Sequence, residues 1–248
     1  MIRVNSRLPL VAPRVVAMPV AFNEERWIGR LLDRFQTLEE VDVAVVDDGS
    51  LDRTADVVHD RGMLVIRRQK RGGVGAAIRT AYDWARSHGY DICVIMSAHD
   101  KDRPADLPAL IRPIVAGNAD LVQGSRYLRG GRHANMPLSR VVATRFLHPF
   151  LFSLAARRHL SDTTNGYRAL RLAVLDDPRL ALDRPDLDGY ALEPYLLLQL
   201  IKCGYAVCEV PVSKTYPEAG EPYTKMRIGS DWWQIVRPVV TGRRRPHR

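Results

Sequence analysis

Apolar and polar positions in the first half of the chain follow two alternating periods. Apolar runs of four or five residues, typical of strands buried on both faces, alternate with stretches whose apolar residues recur at helical spacing. Repeated strand–helix units predict a parallel sheet with right-handed crossovers. The predicted strands are Val15–Pro19, Val43–Val46, Met63–Ile66, Ile92–Met96 and Asp120–Gln123, and the predicted helices are Glu24–Phe35, Asp52–Asp60, Gly75–Ser87 and Pro104–Ala116.

The second half changes its pattern. Leu138–His159 predicts a long helix bent near Pro149, where the missing N–H breaks the hydrogen-bond ladder. A second long helix over Tyr190–Cys203 and a strand over Ala206–Val212 follow. No Gly/Ser- or Pro-rich linker interrupts the first 210 residues, so we expect one α/β domain over 1–212 and a C-terminal lid, amphipathic segment and basic tail over 213–248.

Composition places the chain among ordinary globular proteins, with 46% hydrophobic and 26% charged residues. Its 37 Lys and Arg against 28 Asp and Glu give a net charge of +9. That charge suits phosphate-rich ligands, nucleic acid or an anionic membrane surface, and equally a merely soluble surface. Three cysteines cannot all pair, and the N-terminus lacks the apolar run of a signal peptide, so we expect a cytoplasmic protein.

Two carboxylates, Asp47 and Asp48, follow the second strand and precede a Gly-Ser turn. Adjacent like charges repel each other, so both side chains need partners. Open α/β sheets bind nucleotides at the carboxyl ends of their strands. We expect Asp47 to accept from a base or ribose and Asp48 to lie near a diphosphate. The alternative is a turn in which Ser50 or Asp52 caps the next helix.

The first strand ends in PVAFNEE. Phe22 can stack on a base there, and a carboxylate can accept from ribose hydroxyls. The alternative is structural, with Asn23 as a helix cap and Phe22 in the core.

A glycine-rich turn, Gly72-Gly73-Val74-Gly75, follows four basic residues and precedes the third helix. Glycines permit close approach of the backbone, and a helix N-terminus favours an anion, so we expect Gly75 to bind the donor. The P-loop Lys-Ser/Thr is missing, which excludes an ATPase of that class. The alternative is a solvated basic turn.

The segment MSAHDKDRP follows the fourth strand. Asp100 and Asp102 are spaced to chelate Mg²⁺ or Mn²⁺ through oxygen, and His99 is a ligand that suits Mn²⁺. The sequence therefore predicts a divalent metal at these three residues. The alternative is a turn whose acids are neutralised by Lys101 and Arg103.

Arginines follow the fifth strand at Arg126 and Arg140. A guanidinium binds two phosphate oxygens at once, which predicts a phosphate contact. The alternative is a surface ion pair.

These segments together resemble the family 2 inverting glycosyltransferases of the GT-A fold. Within that family the dolichyl- and polyprenyl-phosphate mannosyl- and glucosyltransferases are the most similar branch. The resemblance covers roughly residues 15–212. Its motifs are PVAFNEE, VVDDGSLDRT, RGGVGAAIRT, GSRYLRGG, PLSR, SDTTNGYRAL and GYAVCEVPV. A single motif is weak, but the ordered set is specific.

The resemblance implies a Rossmann-like α/β fold with an open, mainly parallel sheet flanked by helices. It also implies donor-site residues in named positions. The nucleotide would be held by Pro19, Phe22, Glu24 and Asp47, the sugar diphosphate would face Asp48, and its phosphates would bind Arg126 and Arg140.

The D-x-D metal motif of the family falls on Ser97 and His99, with Ala98 between them at the donor. The acids of this chain come later, so either the chelate is rebuilt from His99, Asp100 and Asp102 or metal dependence is weakened.

The implied reaction transfers a sugar from a UDP- or GDP-sugar with inversion at C1. Mg²⁺ or Mn²⁺ and arginines would stabilise the leaving diphosphate, with Asp100 and Asp102 as catalytic ligands. An ionised polyprenyl phosphate acceptor needs no general base, whereas a hydroxyl acceptor does. Asp188 and Glu193 are the candidates for that base, and Lys225 in the lid is expected to close on the diphosphate.

The basic tail and the apolar window Phe146–Ala156 would suit a peripheral enzyme on the inner face of a membrane. That window is too short to span a bilayer, which needs about 20 apolar residues. The alternative is a core helix with a solubilising tail.

Two further hypotheses stay open. The acceptor is a soluble hydroxyl compound, such as a glycan or a secondary-metabolite intermediate, or the chain binds nucleotide sugars without turnover. No nucleic-acid partner is expected, because no module for it is present.

Overall fold

Strands of a mainly parallel sheet form the centre of the molecule in the computed structural model, which describes residues 9–35, 41–217 and 229–241. In chain order the strands are β1 (Val15–Ala21), β2 (Asp42–Asp47), β3 (Leu64–Arg67), β4 (Ile92–Ser97), β5 (Leu121–Ser125), β6 (Arg132–Ala134), β7 (Arg168–Arg171), β8 (Val207–Pro211) and β9 (Ser213–Thr215). The large sheet has the order β3-β2-β1-β4-β7-β5-β8, and β6 pairs with β9 separately. The predicted open sheet is confirmed.

Helices flank both faces of this sheet. They are α1 (Ile28–Asp33), α2 (Thr54–His59), α3 (Val74–Ser87), α4 (Leu107–Val115), α5 (Leu138–Val142), α6 (His148–Ala156), α7 (Leu192–Lys202) and α8 (Ser230–Thr241). Within the described ranges, no helix combines the length and the apolar content needed to cross a membrane.

Alternating side chains of β1 show how the core is divided. Val15 and Ala17 pack on one face of the sheet with residues of α1 and α4. Val16 and Met18 pack on the other face with residues of α3 and α7. Because both faces are covered, the central strands are apolar throughout, as parallel strands usually are.

Several elements differ from the sequence prediction, among them the short strands β6 and β9, which were not predicted. α1 begins only at Ile28, because a turn occupies the residues after Asn23, whose φ is +52°. The distortion expected near Pro149 is a π-helical segment over Ala143–Leu147, between α5 and α6. β7 was not predicted, since its sequence RALR has only two apolar residues between two arginines.

The chain beyond residue 212 packs on the rest of the molecule. β9 pairs in parallel with β6, and α8 contacts α6 and α7. The division of the chain at residue 212 stays a prediction. The lid and tail of that prediction fall largely on 218–228 and 242–248, outside the described residues.

The start of α3 is fixed by close contact with the segment before α7. A Cβ on Gly75 would collide with the carbonyl oxygen of Leu187 and would lie 2.6 Å from that of Gly189. The N–H of Ala76 donates to the carbonyl of Asp188 at 3.0 Å. Neither backbone can move without breaking this packing.

Gly75→Ala should therefore lower the free energy of unfolding by about 1–3 kcal/mol, the usual cost of overpacking. Urea denaturation measures this change. Gly29→Ala is the matched control, because a Cβ there meets only the flexible end of Arg61, at 2.6 Å. An equal loss in both variants would contradict the assigned contact.

Candidate active site, a cationic cleft at the strand ends

A cleft of about 560 Å³ opens beyond the carboxyl ends of β1 and β4. Open α/β sheets bind their ligands at this place, and the volume of the cleft is in the range of sites for small molecules such as nucleotides. Many predicted site residues line it, namely Phe22, Glu24, Asp48, His99, Asp102, Arg126, Arg140 and Glu193. Residues separated by up to 171 positions in sequence thus share one cavity.

The two carboxylates after β2 have structural partners. Asp47 is fully buried and accepts from the N–H of Ser50 at 2.9 Å and from its hydroxyl. Asp48 accepts from the N–H groups of Gly72 and Gly73, at 2.9 and 2.7 Å, and pairs with Arg68. Asp48 therefore shapes the glycine-rich loop as it faces the cleft.

Phe22 lies at the edge of the cleft under Arg71, whose guanidinium carbon is 4.1 Å from the ring centroid. An aromatic ring and a stacked guanidinium form a flat surface of the kind that binds a base. The prediction that Phe22 contacts the nucleotide stays a prediction, with its geometry in place.

Besides Asp47, three residues predicted at the donor site are not among the side chains that line the cleft. Pro19 is buried within β1, in register with Met96 of β4. Ala98 is fully buried in the core. Gly75 is packed against the segment Leu187–Gly189, so the first turn of α3 is covered by protein. Their contribution is to packing.

Arg126 has a different role from the predicted phosphate contact. It is 3% exposed, and its Nε and Nη2 atoms donate to Asp162 at 2.7 and 2.8 Å. The remaining guanidinium donors reach Tyr216, Thr164 and the sulfur of Met136. Burial alone would lower the pKa of Arg126, but Asp162 raises it well above its usual value. Arg126 thus stabilises the cleft wall through buried hydrogen bonds.

Glu24 and His99 form a hydrogen-bonded pair inside the cleft. The Glu24 Oε2 and His99 Nδ1 atoms are 2.7 Å apart, and both residues are 8% exposed. The ring of Trp27 lies 4.9 Å from that of His99. His99 Nε2 is buried and has no hydrogen-bond partner within the described part of the chain.

The predicted metal ligands point to different places. Asp100 adopts φ of +54° and pairs with Arg34 at 3.2 Å and Arg30 at 3.6 Å, in a second depression. Burial raises the pKa of Asp100, and these arginines oppose the rise. Asp102 is fully buried and accepts from the Lys214 ammonium at 2.6 Å and the Ser97 N–H at 2.9 Å.

The three residues therefore do not form the predicted chelate. Over the described ranges, no group of three or more His, Cys, Asp or Glu side chains is arranged to hold a metal ion. The donor set does not fit Mg²⁺ or Mn²⁺, because an ammonium occupies the side of Asp102 that a cation would need. The prediction that His99, Asp100 and Asp102 jointly bind a metal ion is therefore corrected.

Two lysine side chains, not a set of metal ligands, lie in this part of the cleft. Lys214 bridges Asp102 and the side-chain oxygen of Asn165, at 2.6 and 3.0 Å. Burial lowers the pKa of Lys101 to about 7, and Lys214 and Arg140 add to this effect while Glu24 and Asp102 oppose it. An anion bound beside Lys101 would favour its protonated form.

The two candidate bases differ in placement. Glu193 lines the cleft and lies 3.2 Å from Arg168. Asp188 is bound to Arg79, so it faces α3. Arg140 lines the cleft beside Tyr216, with its guanidinium carbon 5.5 Å from the ring centroid. Lys225 lies outside the described residues.

Sequence reasoning missed Lys214, Asp162 and Tyr216. The motif SDTTNGYRAL contains Asp162, so its position was marked without a role. Lys214 had no signal, because its partner Asp102 is 112 residues away.

Comparison with known proteins agrees with this geometry. The family model described as "Glycosyl transferase family 2" matches residues 16–177. The chain belongs to glycosyl transferase family 2. The cleft of this glycosyltransferase is lined by residues within the matched region and by residues that follow it in sequence, such as Glu193 and Lys214.

Two relatives of the glycosyltransferase are similar over most of their length. A polyprenol monophosphomannose synthase from Mycolicibacterium smegmatis is 33% identical over 215 residues, covering 84% of this chain and 79% of the relative. An undecaprenyl-phosphate mannosyltransferase from Micrococcus luteus is 32% identical over 216 residues, covering 84% and 86%.

A solved structure supports the fold of the glycosyltransferase. Glucosyl-3-phosphoglycerate synthase from Mycobacterium tuberculosis, in complex with Mn²⁺, UDP and phosphoglyceric acid, superposes with a TM-score of 0.72 at 20% identity. The superposition covers 95% of this chain and 80% of that chain. At this identity the likeness concerns the GT-A fold.

The buried pair of Arg126 and Asp162 gives a test of the cleft wall. Asp162→Asn would leave the guanidinium without its counter-charge, so the free energy of unfolding should fall by about 3–5 kcal/mol. Asp33→Asn breaks the exposed pair with Arg61 and should change the free energy of unfolding far less, because solvent screens that pair. Urea denaturation measures both, and similar small losses would contradict the role given to Arg126.

Proposed function

We propose that this glycosyltransferase moves a sugar from a nucleoside-diphosphate sugar to a polyprenyl phosphate at a membrane surface. The observation that carries the acceptor is the helical region α5–α6, which presents two opposite faces. Arg140 and Thr144 line the cleft from one face. Phe146 and Phe150, on the other, are 60% and 62% exposed.

The exposed face is a continuous apolar stripe. Its members recur every fourth residue and are Leu138, Val142, Phe146, Phe150 and Leu154. A four-residue step exceeds one α-helical turn of 3.6 residues, and the wider π turn over Ala143–Leu147 takes up part of that excess. We refer to these five residues as the apolar stripe.

Basic residues accompany the stripe. Arg145 lies beside Phe146, and Arg157 and Arg158 follow α6 on the surface. An apolar helix face bordered by arginines suits the interface of an anionic bilayer. A lipid phosphate held at this interface would have its headgroup next to Arg140, at the mouth of the cleft.

The chemistry of the acceptor agrees with the charges in the cleft. An ionised phosphate attacks C1 of the sugar from the side opposite the diphosphate, and the C1–O bond breaks with its electron pair on the leaving oxygen. No proton needs to be removed, so no general base is needed. Glu193, which would be that base, lies 3.2 Å from Arg168, so its carboxylate has a partner within the protein.

The names of the relatives support the same acceptor class. Two are a polyprenol monophosphomannose synthase and an undecaprenyl-phosphate mannosyltransferase. A third, from Methanococcus voltae, is a UDP-N-acetylglucosamine–dolichyl-phosphate N-acetylglucosaminyltransferase, 26% identical over 215 residues. The donor base and sugar are left to experiment, with UDP- and GDP-sugars as the first candidates.

Release of nucleoside diphosphate from UDP- and GDP-sugars, with and without undecaprenyl phosphate in detergent, tests the acceptor. We expect release to require the lipid phosphate, and Glu193→Gln to keep about a tenth or more of the activity, because no proton is removed. Glu25→Gln, at an exposed surface carboxylate, is the control.

A different result selects a different acceptor. Release that depends on a hydroxyl compound and falls about 100-fold or more in Glu193→Gln would favour the soluble acceptor. Donor binding without release under any condition would favour a non-catalytic binder.

Vesicle flotation tests the membrane contact. Phe146→Asp with Phe150→Asp should reduce binding to vesicles of anionic lipid by about tenfold or more. The variant loses two aromatic rings that would be buried in the lipid, and it gains two charges of the same sign as the lipid. Val11→Asp with Leu64→Asp changes the charge equally at exposed apolar positions outside the stripe, and it should bind nearly as the unchanged protein does. Equal loss in both double variants would contradict the role of the stripe.

A further inference from the structure

Basic side chains line the cleft next to the segment on which the resemblance places the family's D-x-D metal motif, Ser97 to His99. β4 ends at Ser97, and the next residues that face the cleft are His99 and Lys101. Lys214 approaches from β9 and pairs with Asp102. The other carboxylate in this sequence segment, Asp100, is held by arginines in a second depression, which His99, Lys101 and Lys214 also line.

We propose that His99, Lys101 and Lys214 bind the diphosphate of the donor in place of a divalent metal ion. This inference rests on the proposed function, since it needs a nucleoside-diphosphate donor in the cleft. It goes beyond that function by naming the residues that neutralise the leaving group and by predicting donor binding without metal.

His99 is held in an orientation that suits this role. Its Nδ1 atom lies 2.7 Å from the Glu24 carboxylate, which fixes the ring. Its Nε2 atom is buried and has no hydrogen-bond partner in the described ranges. A buried polar atom without a partner costs free energy, and a phosphate oxygen would satisfy it. In the imidazolium form both ring nitrogens donate, one to Glu24 and one to phosphate.

The two lysines supply ammonium groups that can donate to phosphate oxygens. Lys214 is 8% exposed and is kept in the cleft by Asp102 and Asn165. Lys101 is joined to the same segment, because its carbonyl accepts from the N–H of Thr215 at 3.0 Å. Its ammonium lies 5.7 Å from the centroid of the Tyr216 ring. Ammonium groups bind phosphate as point charges, without the carboxylates that a metal requires.

A metal site consists of the cation and its carboxylate ligands, and the balance of charge explains why both can be replaced together. The two carboxylates that would balance a divalent ion are absent, since the D-x-D motif of the family falls on Ser97 and His99, and Lys101 adds an ammonium group to the cleft. As the C1–O bond breaks, negative charge grows on the oxygen of the leaving phosphate. Fixed donors in a sheltered cleft stabilise that charge without any movement of the protein.

Isothermal titration of the full chain with UDP and GDP, each in EDTA, Mg²⁺ or Mn²⁺, tests the inference. We expect dissociation constants for the bound nucleotide that agree within about threefold across the three conditions, since hydrogen bonds to protein cations do not depend on metal. The electron paramagnetic resonance signal of free Mn²⁺ should fall no further with protein and nucleotide than with nucleotide alone.

Variants assign the effect to residues. Lys101→Gln and His99→Ala should each weaken nucleotide binding in EDTA by about tenfold or more, the usual loss for a hydrogen bond to a charged group. Lys101→Arg keeps the charge and should recover most of the affinity. Lys202→Gln removes an exposed lysine at the end of α7 and is the matched control. Circular dichroism verifies that each variant is folded.

A reverse substitution gives a gain-of-function test. Ser97→Asp with His99→Asp places two carboxylates at the end of β4 beside Glu24. This variant should bind nucleotide about tenfold or more tightly with Mn²⁺ than with EDTA, since the two new carboxylates supply oxygen ligands that the unchanged protein lacks there.

The outcomes separate the inference from the proposed function. Nucleotide binding by the unchanged protein that is lost in EDTA overturns the inference and leaves the donor class intact. Binding in EDTA that Lys101→Gln and His99→Ala do not weaken also overturns it. No binding of UDP or GDP under any condition overturns both.

Discussion

The buried ion pair between Asp102 and Lys214 connects the end of the central sheet to the C-terminal part of the chain. The partners lie 112 residues apart, yet their charged atoms are 2.6 Å from each other. An unpaired charge at that depth would be strongly unfavourable, so the loop after β4 and strand β9 must meet. The same contact aligns Lys101 with Thr215 and brings Tyr216 to the cleft. The floor of the cleft therefore depends on one ion pair.

Around this pair, the acidic side chains of the cleft are bound and positive groups are in excess. Glu24 holds His99, Asp48 holds the glycine-rich loop, and Asp162 holds Arg126. We expect a cleft arranged in this way to stabilise an anion, which agrees with the proposed reaction, whose leaving group is a diphosphate.

The helical region α5–α6 links this chemistry to a surface. A helical region that carries cleft residues on one side and the apolar stripe on the other would, under the proposed function, place a membrane surface beside the reacting groups. The π segment over Ala143–Leu147 lies between the two parts of the stripe. Such segments are rare and often occur at functional sites, which agrees with its place next to Thr144 in the cleft wall.

The sequence by itself determined the strands of the sheet other than β7, most helices and the end of the sheet at which the cleft opens, because buried strands and their flanking turns are set by local apolar periodicity. It also placed Phe22, Glu24, Asp48 and His99 at that cleft. Only the tertiary structure decided the electrostatic partners. The sequence predicts Arg126 as a phosphate ligand, whereas in the structure Arg126 binds Asp162. The sequence predicts Asp100 and Asp102 as a chelate, whereas the backbone at Asp100 directs the two carboxylates to different places. Partners separated by 36 to 112 residues leave no periodic signal, since an ion pair depends on where two segments meet in space.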